Sequence, residues 1–308
     1  MTRSALMALD AWRSKARNIS VNGANIAFWT SEAIADESLP ALLLIHGYPT
    51  SSWDWSGLWP ALENRFRLVA LDMLGFGLSD KPRTLNYSIM MQADLQEALL
   101  ADLNIGEAHV FTHDYGNTVG QELLARAQDR TLSFSIKSMA FLNGGLFPEQ
   151  HRARPIQKLG LTPFGFLLGR LLSRQRLRTT FDEIFGPDTK APDTEIDGHW
   201  DMICENDGAK ILHKLLQYIP ERQRYRARWV GALKSATMPL RLINGGFDPV
   251  SGAHLYHYYK DEVPGADAVL FENIGHYPHT EAPDAVLSAF LEFHNAHKTI
   301  TSGESSTQ

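Results

Sequence analysis

The sequence predicts an α/β fold: a mostly parallel sheet flanked by helices, with an inserted helical segment. Three observations lead there. Short continuous apolar runs recur along the chain, segments of helical period separate them, and one long stretch holds helical periodicity alone. The runs Ala41–Ile45, Leu68–Leu71, Ala108–Thr112, Ser138–Leu142, Leu240–Asn244 and Ala268–Phe271 read as strands buried on both faces. Such strands belong to a parallel sheet covered by helices on either side. Ahead of them, Asn18–Val21 and Ile26–Trp29 flank Asn22-Gly23, a dipeptide that favours a tight hairpin turn.

From about Phe147 to Val230 no strand signal appears, and Pro148, Pro155, Pro163, Pro187, Pro192 and Pro220 divide the helical periodicity. Within it, Pro163–Leu172 and Lys210–Tyr218 read as amphipathic helices. The expected organisation is a core formed by residues 1–146 and 233–298, a helical cap over 147–232, and a disordered tail at 299–308. An insertion at the carboxyl ends of parallel strands lies over the place where such sheets bind ligands.

Composition narrows the function classes. The 308 residues, 44% hydrophobic and 21% charged, suit a globular protein that needs no disulfide or structural metal. With 29 Lys+Arg against 35 Asp+Glu the net charge is −6, and no run resembles a nucleic-acid footprint. A single cysteine, Cys204, excludes an internal disulfide and any CxxC motif, which points to a reducing compartment. The opening MTRSALMALDAWRSKARN meets Asp10 too early for a signal-peptide core, and no window approaches the roughly 20 apolar residues of a membrane span. The expectation is a cytoplasmic protein with no nucleic-acid or membrane partner.

Chemistry concentrates at strand ends. Thr112-His113-Asp114-Tyr115-Gly116-Asn117 follows one strand and opens the helical stretch Val119–Ala127. That is a strand–sharp turn–helix with Asp114 at the tip, where the helix N-terminus stabilises an anion. Taken alone, Asp114 also reads as an ordinary helix cap. His46-Gly47-Tyr48-Pro49 follows an earlier strand, and the backbone N–H groups of Tyr48 and Tyr115 suit a two-donor oxyanion hole. A cis Tyr48–Pro49 bond fits such a turn. Asp248 ends the Leu240–Asn244 strand region, and His276 follows the last strand in Asn273-Ile274-Gly275-His276-Tyr277-Pro278. Nucleophile, acid and histidine occur in the chain order of a Ser/Asp–acid–His triad, each past the carboxyl end of a strand.

These motifs resemble the α/β-hydrolase branch that holds epoxide hydrolases and haloalkane dehalogenases, over roughly residues 18–296. Asn143-Gly144-Gly145-Leu146-Phe147-Pro148-Glu149, Leu215-Leu216-Gln217-Tyr218-Ile219 and Arg228-Trp229-Val230-Gly231-Ala232-Leu233 are similar to the subgroup of the mesoderm-specific transcript protein and its bacterial relatives, itself similar to epoxide hydrolases. The resemblance implies an α/β-hydrolase core with a helical cap, and neither metal nor cofactor.

An aspartate nucleophile suits displacement at sp³ carbon rather than attack on an amide or ester carbonyl. The product is an ester on Asp114, cleaved by water that His276 activates while Asp248 orients the ring. In the dehalogenase branch a Trp follows the nucleophile; here that residue is Tyr115. An epoxide oxygen instead requires an acid, which the branch takes from cap tyrosines, and the candidates are Tyr218 and Tyr225. His46, Pro49, Trp53, His113 and Phe147 are the candidate substrate-lining residues, and Trp53 together with Trp55 and Trp59 also reads as core packing. The substrate expected is a small apolar epoxide that reacts with water to give a vicinal diol. The alternatives are halide release or a silent binding module with the same fold.

Overall fold

The computed structural model describes residues 5–298. The tail expected to be disordered, 299–308, lies outside them. Eight strands form one sheet: β1 Arg17–Val21, β2 Ala24–Thr30, β3 Ala41–Ile45, β4 Arg67–Leu71, β5 Glu107–Thr112, β6 Ser135–Phe141, β7 Leu240–Gly245 and β8 Asp267–Phe271. Their spatial order is β1-β2-β4-β3-β5-β6-β7-β8, antiparallel for β1–β2 and β2–β4 and parallel elsewhere. The opening hairpin turns at Asn22-Gly23, whose positive φ values of 52° and 81° match the tight turn that this dipeptide favours.

The strand period of two explains why the central runs are apolar throughout. Leu43, Val69 and Val110 point into one core, where they meet the helices Ile89–Asp102 and Tyr115–Asp129. Leu42, Leu44, Leu68 and Phe111 point into the other, beside Trp12, Trp29, Trp55 and Trp59 and the final helix, Pro283–Lys298. Each face of the sheet thus has its own packed layer.

Between β6 and β7 the chain forms only helices, as its periodicity predicts. Two of the expected helices are interrupted. In Pro163–Leu172 a 3₁₀ turn, Gly165–Leu167, precedes the short helix Leu168–Leu171. Gly165 approaches the Gly160 carbonyl so closely that a Cβ would lie 2.1 Å from its oxygen, so the chain doubles back where a straight helix would continue. In Lys210–Tyr218 the helix Leu212–Leu215 stops and a new one starts at Tyr218–Arg224. Pro220 has no N–H to give to Leu216, and restarting the helix places this proline in a first turn, where no such donor is needed.

Candidate active site

The turn after β5 brings Asp114 to the carboxyl edge of the sheet with φ 45° and ψ −104°. That conformation is costly for a residue with a Cβ, on the order of 1–3 kcal/mol, and its surroundings hold it in place. The Asp114 N–H donates to the Asn143 carbonyl at 2.8 Å, and the Asp114 carbonyl accepts from the Asn117 N–H at 3.1 Å. Gly116 permits the close approach of helix to strand, since a Cβ there would sit 2.5 Å from the Ile45 carbonyl oxygen. Tyr115 begins the helix Tyr115–Asp129, so the carboxylate stands at a helix N-terminus.

The Asp114 carboxylate is 4% exposed. Its Oδ2 accepts from the Tyr48 N–H at 3.1 Å, and the Tyr48–Pro49 bond is cis. Its Oδ1 lies 3.9 Å from His276 Nε2, while His276 Nδ1 donates to Asp248 Oδ2 at 2.7 Å. Further donors to Asp248 are Asn143 Nδ2 at 3.0 Å, Ser251 Oγ at 2.7 Å and the Val250 N–H at 2.7 Å. Burial opposes ionisation of Asp248, but His276 and these donors outweigh it and hold the carboxyl well below its usual range. For His276 burial likewise disfavours the charged ring. The Asp248 charge and hydrogen bond, with the Asp114 charge, prevail and raise its pKa to about 9.

Asp114, His276 and Tyr48 open onto a cavity of about 770 Å³, its mouth included. Its walls are mostly apolar: Leu168, Leu172, Leu177, Phe181, Ile184 and Leu216 come from the insertion, and Pro49, Val250 and Tyr277 from the core. The polar residues on the wall besides Asp114 and His276 are Tyr48, Arg154, Gln157 and Thr180.

Not every predicted residue reaches this wall. His46 is buried beneath it, with Nδ1 against the Gly47 carbonyl and Nε2 accepting from the Met73 N–H at 3.0 Å, so it fixes the turn instead. Trp53 donates to the Met7 carbonyl at 2.8 Å and packs on His199, which fastens the insertion to the core. His113 points backward and donates through Nε2 to the His276 carbonyl at 2.8 Å. Phe147 is buried against Tyr258. Tyr218 is fully buried between Tyr48 and Tyr115, with its hydroxyl accepting from Gln157 Nε2 at 3.4 Å. Tyr225 lies away from the cavity, half-buried against Trp229. Seven residues of helix separate it from Tyr218, which is roughly 10 Å along the axis.

Three contributors went unforeseen. Arg222 is 1% exposed; its Nε donates to Thr118 Oγ1 at 2.7 Å, its Nη2 to the Asp114 carbonyl at 3.2 Å, and its guanidinium covers the Tyr218 ring at 4.4 Å. Asn143 ties Asp248 to the β7 end by accepting from the Gly245 N–H at 2.6 Å. Glu281 accepts from Gly186 and Gly275 N–H groups at 2.8 and 2.9 Å, and from Tyr277 N–H at 3.0 Å, pinning the His276 loop to the insertion. A carboxylate five residues after the histidine was the available signal for Glu281; nothing local marks Arg222 as buried. Among the described residues, one His/Asp group could meet a metal ion, the buried trio Asp54, His113 and His279 behind the triad.

The fold agrees with the comparisons. A model of the alpha/beta hydrolase fold matches residues 40–283. The chain belongs to the α/β-hydrolase family. It is 40% identical over 298 residues to the human mesoderm-specific transcript homolog protein, covering 94% of this chain and 88% of that one. LipZ of Mycobacterium tuberculosis is 39% identical over 252 residues, covering 82% and 87%. Among solved structures, haloalkane dehalogenase DbeA from Bradyrhizobium elkani superposes with a TM-score of 0.77 at 18% identity, covering 92% of this chain and 99% of that one. A bacterial membrane phospholipase A does so with a TM-score of 0.71 at 21% identity, covering 94% and 91%. At such identities these two likenesses concern the fold alone. This α/β hydrolase therefore shares its architecture with enzymes of differing chemistry, and its own side chains must indicate the reaction.

Proposed function

We propose that this α/β hydrolase is an epoxide hydrolase, opening an apolar epoxide to a vicinal diol through an ester on Asp114. The observation that carries the reading is a buried carboxylate in the nucleophile position, at the floor of an apolar cavity and 3.9 Å from a histidine paired with Asp248. A carboxylate oxygen attacks one epoxide carbon, the C–O bond breaks, and the departing oxygen takes a proton from a tyrosine hydroxyl. Tyr48 presents its side chain on the wall with Tyr218 beside it, ring centroids 6.2 Å apart. Burial raises both phenols, so each stays protonated at neutral pH; Tyr48, which lines the cavity, is the donor, and Tyr218 packs behind it.

In the second step His276 removes a proton from water, and the resulting hydroxide adds to the ester carbonyl of Asp114. The oxyanion faces the backbone N–H groups of Tyr48 and Tyr115, collapse expels the diol, which takes its proton from the imidazolium, and the Asp114 carboxyl returns its proton to the tyrosinate left by ring opening. Alkylation itself prepares this step. It removes the Asp114 charge, one of the influences that keep the ring protonated, and so lowers the pKa of His276 when a base is required.

The test is diol formation from terminal, aryl and disubstituted epoxides, with Asp114→Ala as control. Diol that disappears in the variant supports the reading. No diol from any epoxide, with folded wild-type protein, overturns it and directs attention to halide release.

A further inference from the structure

The stretch from Arg154 to Ser173 forms part of the cavity's outer wall, and it is apolar on both sides. Leu168 and Leu172 line the cavity. Facing outward, Phe164 is 62% exposed, Phe166 54% and Leu171 39%. The outer side of such a wall ordinarily carries polar residues, and large apolar groups exposed together mark a docking surface.

A second observation indicates what docks there. From Arg152 to Phe181 the chain has seven Lys or Arg and no Asp or Glu, in a protein of net charge −6. Arg154, Arg174 and Arg178 are met by carboxylates from later in the chain, Glu183, Asp193, Asp197 and Asp182. Arg152, Lys158 and Arg176 are exposed and form no ion pair among the described residues. Exposed aromatic and aliphatic side chains on a segment that also carries three exposed cations without ion pairs complement a bilayer bearing anionic headgroups. The rings enter the acyl boundary while the cations meet the phosphates.

We propose that this face of the insertion docks on an anionic lipid bilayer, from which the cavity takes a lipophilic substrate. A shallow cleft on this segment, formed by Leu159 and Leu171, also contains Arg154, Ile156 and Thr180, which line the cavity itself. The route from lipid to Asp114 therefore starts at the exposed patch. Docking does not depend on which bond the site breaks. Nor does it need a spanning segment, the absence of which underlay the expectation of no membrane partner.

Sedimentation of the full chain with vesicles tests this, using phosphatidylcholine alone and an equal mixture of phosphatidylcholine and phosphatidylglycerol. The protein should sediment with the mixture, stay in solution with phosphatidylcholine, and leave the mixed vesicles as salt is raised. Phe164→Ser/Phe166→Ser and Lys158→Glu/Arg176→Glu should each weaken partitioning about tenfold or more while leaving the melting temperature unchanged. No sedimentation with the mixture overturns the proposal, as does binding that neither variant weakens. A dimer in solution that Phe164→Ser/Phe166→Ser separates, without vesicle binding by the wild type, assigns the face to a second copy of the chain instead.

Discussion

Arg222 reaches from the insertion to donate, at 3.2 Å, to the main-chain carbonyl of Asp114. The same guanidinium bonds Thr118 in the helix behind Asp114 and covers the ring of Tyr218. One buried side chain thereby fixes the strained turn, its following helix and a candidate acid relative to one another. Removing it as Arg222→Met should lower the unfolding free energy by about 2 kcal/mol, the scale of hydrogen bonds from a charged donor. It should also slow formation of the Asp114 ester by about tenfold or more. Arg222→Lys restores the charge and one donor but not the fork, and should recover only part of that rate. Chemical denaturation and single-turnover kinetics check the two effects separately.

In the proposed mechanism His276 acts after the ester forms, so His276→Gln should stop the reaction halfway. Peptide mass spectrometry should then find the intact mass of the epoxide added to the peptide that contains Asp114. Turnover without such an adduct would argue against a covalent route.

The pH response of stability has a definite sign. The folded-state pKa of His276 is raised from 6.5 to about 9, so between those values the folded chain holds a proton that the unfolded chain has released. The stabilisation is complete below pH 6.5 and declines as pH rises toward 9, by about 3 kcal/mol at most. Denaturant titrations across this window should show the decline in wild type and its absence in His276→Gln. Hydrolysis of the preformed ester should depend on a group with a pKa lower than 9, since alkylation has removed the Asp114 charge.

In the proposed mechanism Tyr48 combines two roles that substitution can separate. Tyr48→Phe keeps the backbone donor to Asp114 and removes only the hydroxyl. Alkylation should slow about a hundredfold, within the usual range for a general acid, while ester hydrolysis stays near its wild-type rate. Tyr218→Phe, behind Tyr48 and off the cavity wall, should slow the same step less.

Gly275 shows how tightly the insertion meets the histidine loop. A Cβ there would lie 2.1 Å from the Ile184 carbonyl oxygen and 2.7 Å from the Gly186 nitrogen. Gly275→Ala should therefore cost about 2–3 kcal/mol in stability, and should reduce turnover through displacement of His276.

The strands were legible because burial on both faces leaves continuous apolar runs, and Leu42 to Leu44 serve two cores at once. Asp114, Asp248 and His276 were legible as a set because each follows a strand end, a property of chain order rather than of distant contacts. The cavity wall was not. Whether a tyrosine or arginine of the insertion turns inward depends on how short, proline-broken helices pack, and local periodicity carries little of that information. Arg222 and Tyr225 illustrate the point: sequence neighbours of similar polarity context, one sealed against Asp114 and the other set aside on Trp229. His46 and His113 likewise occupy motif positions next to the reacting groups, yet their rings spend their hydrogen bonds on backbone.

The insertion leaves the sheet after β6 and rejoins it at β7, and these two strands pair directly with each other. The sheet is thus continuous across the interruption, and a longer or shorter connection alters loop-closure entropy only slowly. Most of the apolar cavity wall and the Asp114–Asp248–His276 set accordingly lie in different tracts of one chain. A lineage can redesign what enters the cavity by rewriting the excursion between two neighbouring strands, while the contacts that Arg222 and Glu281 make with the core limit which rewritings leave the nucleophile and histidine in register.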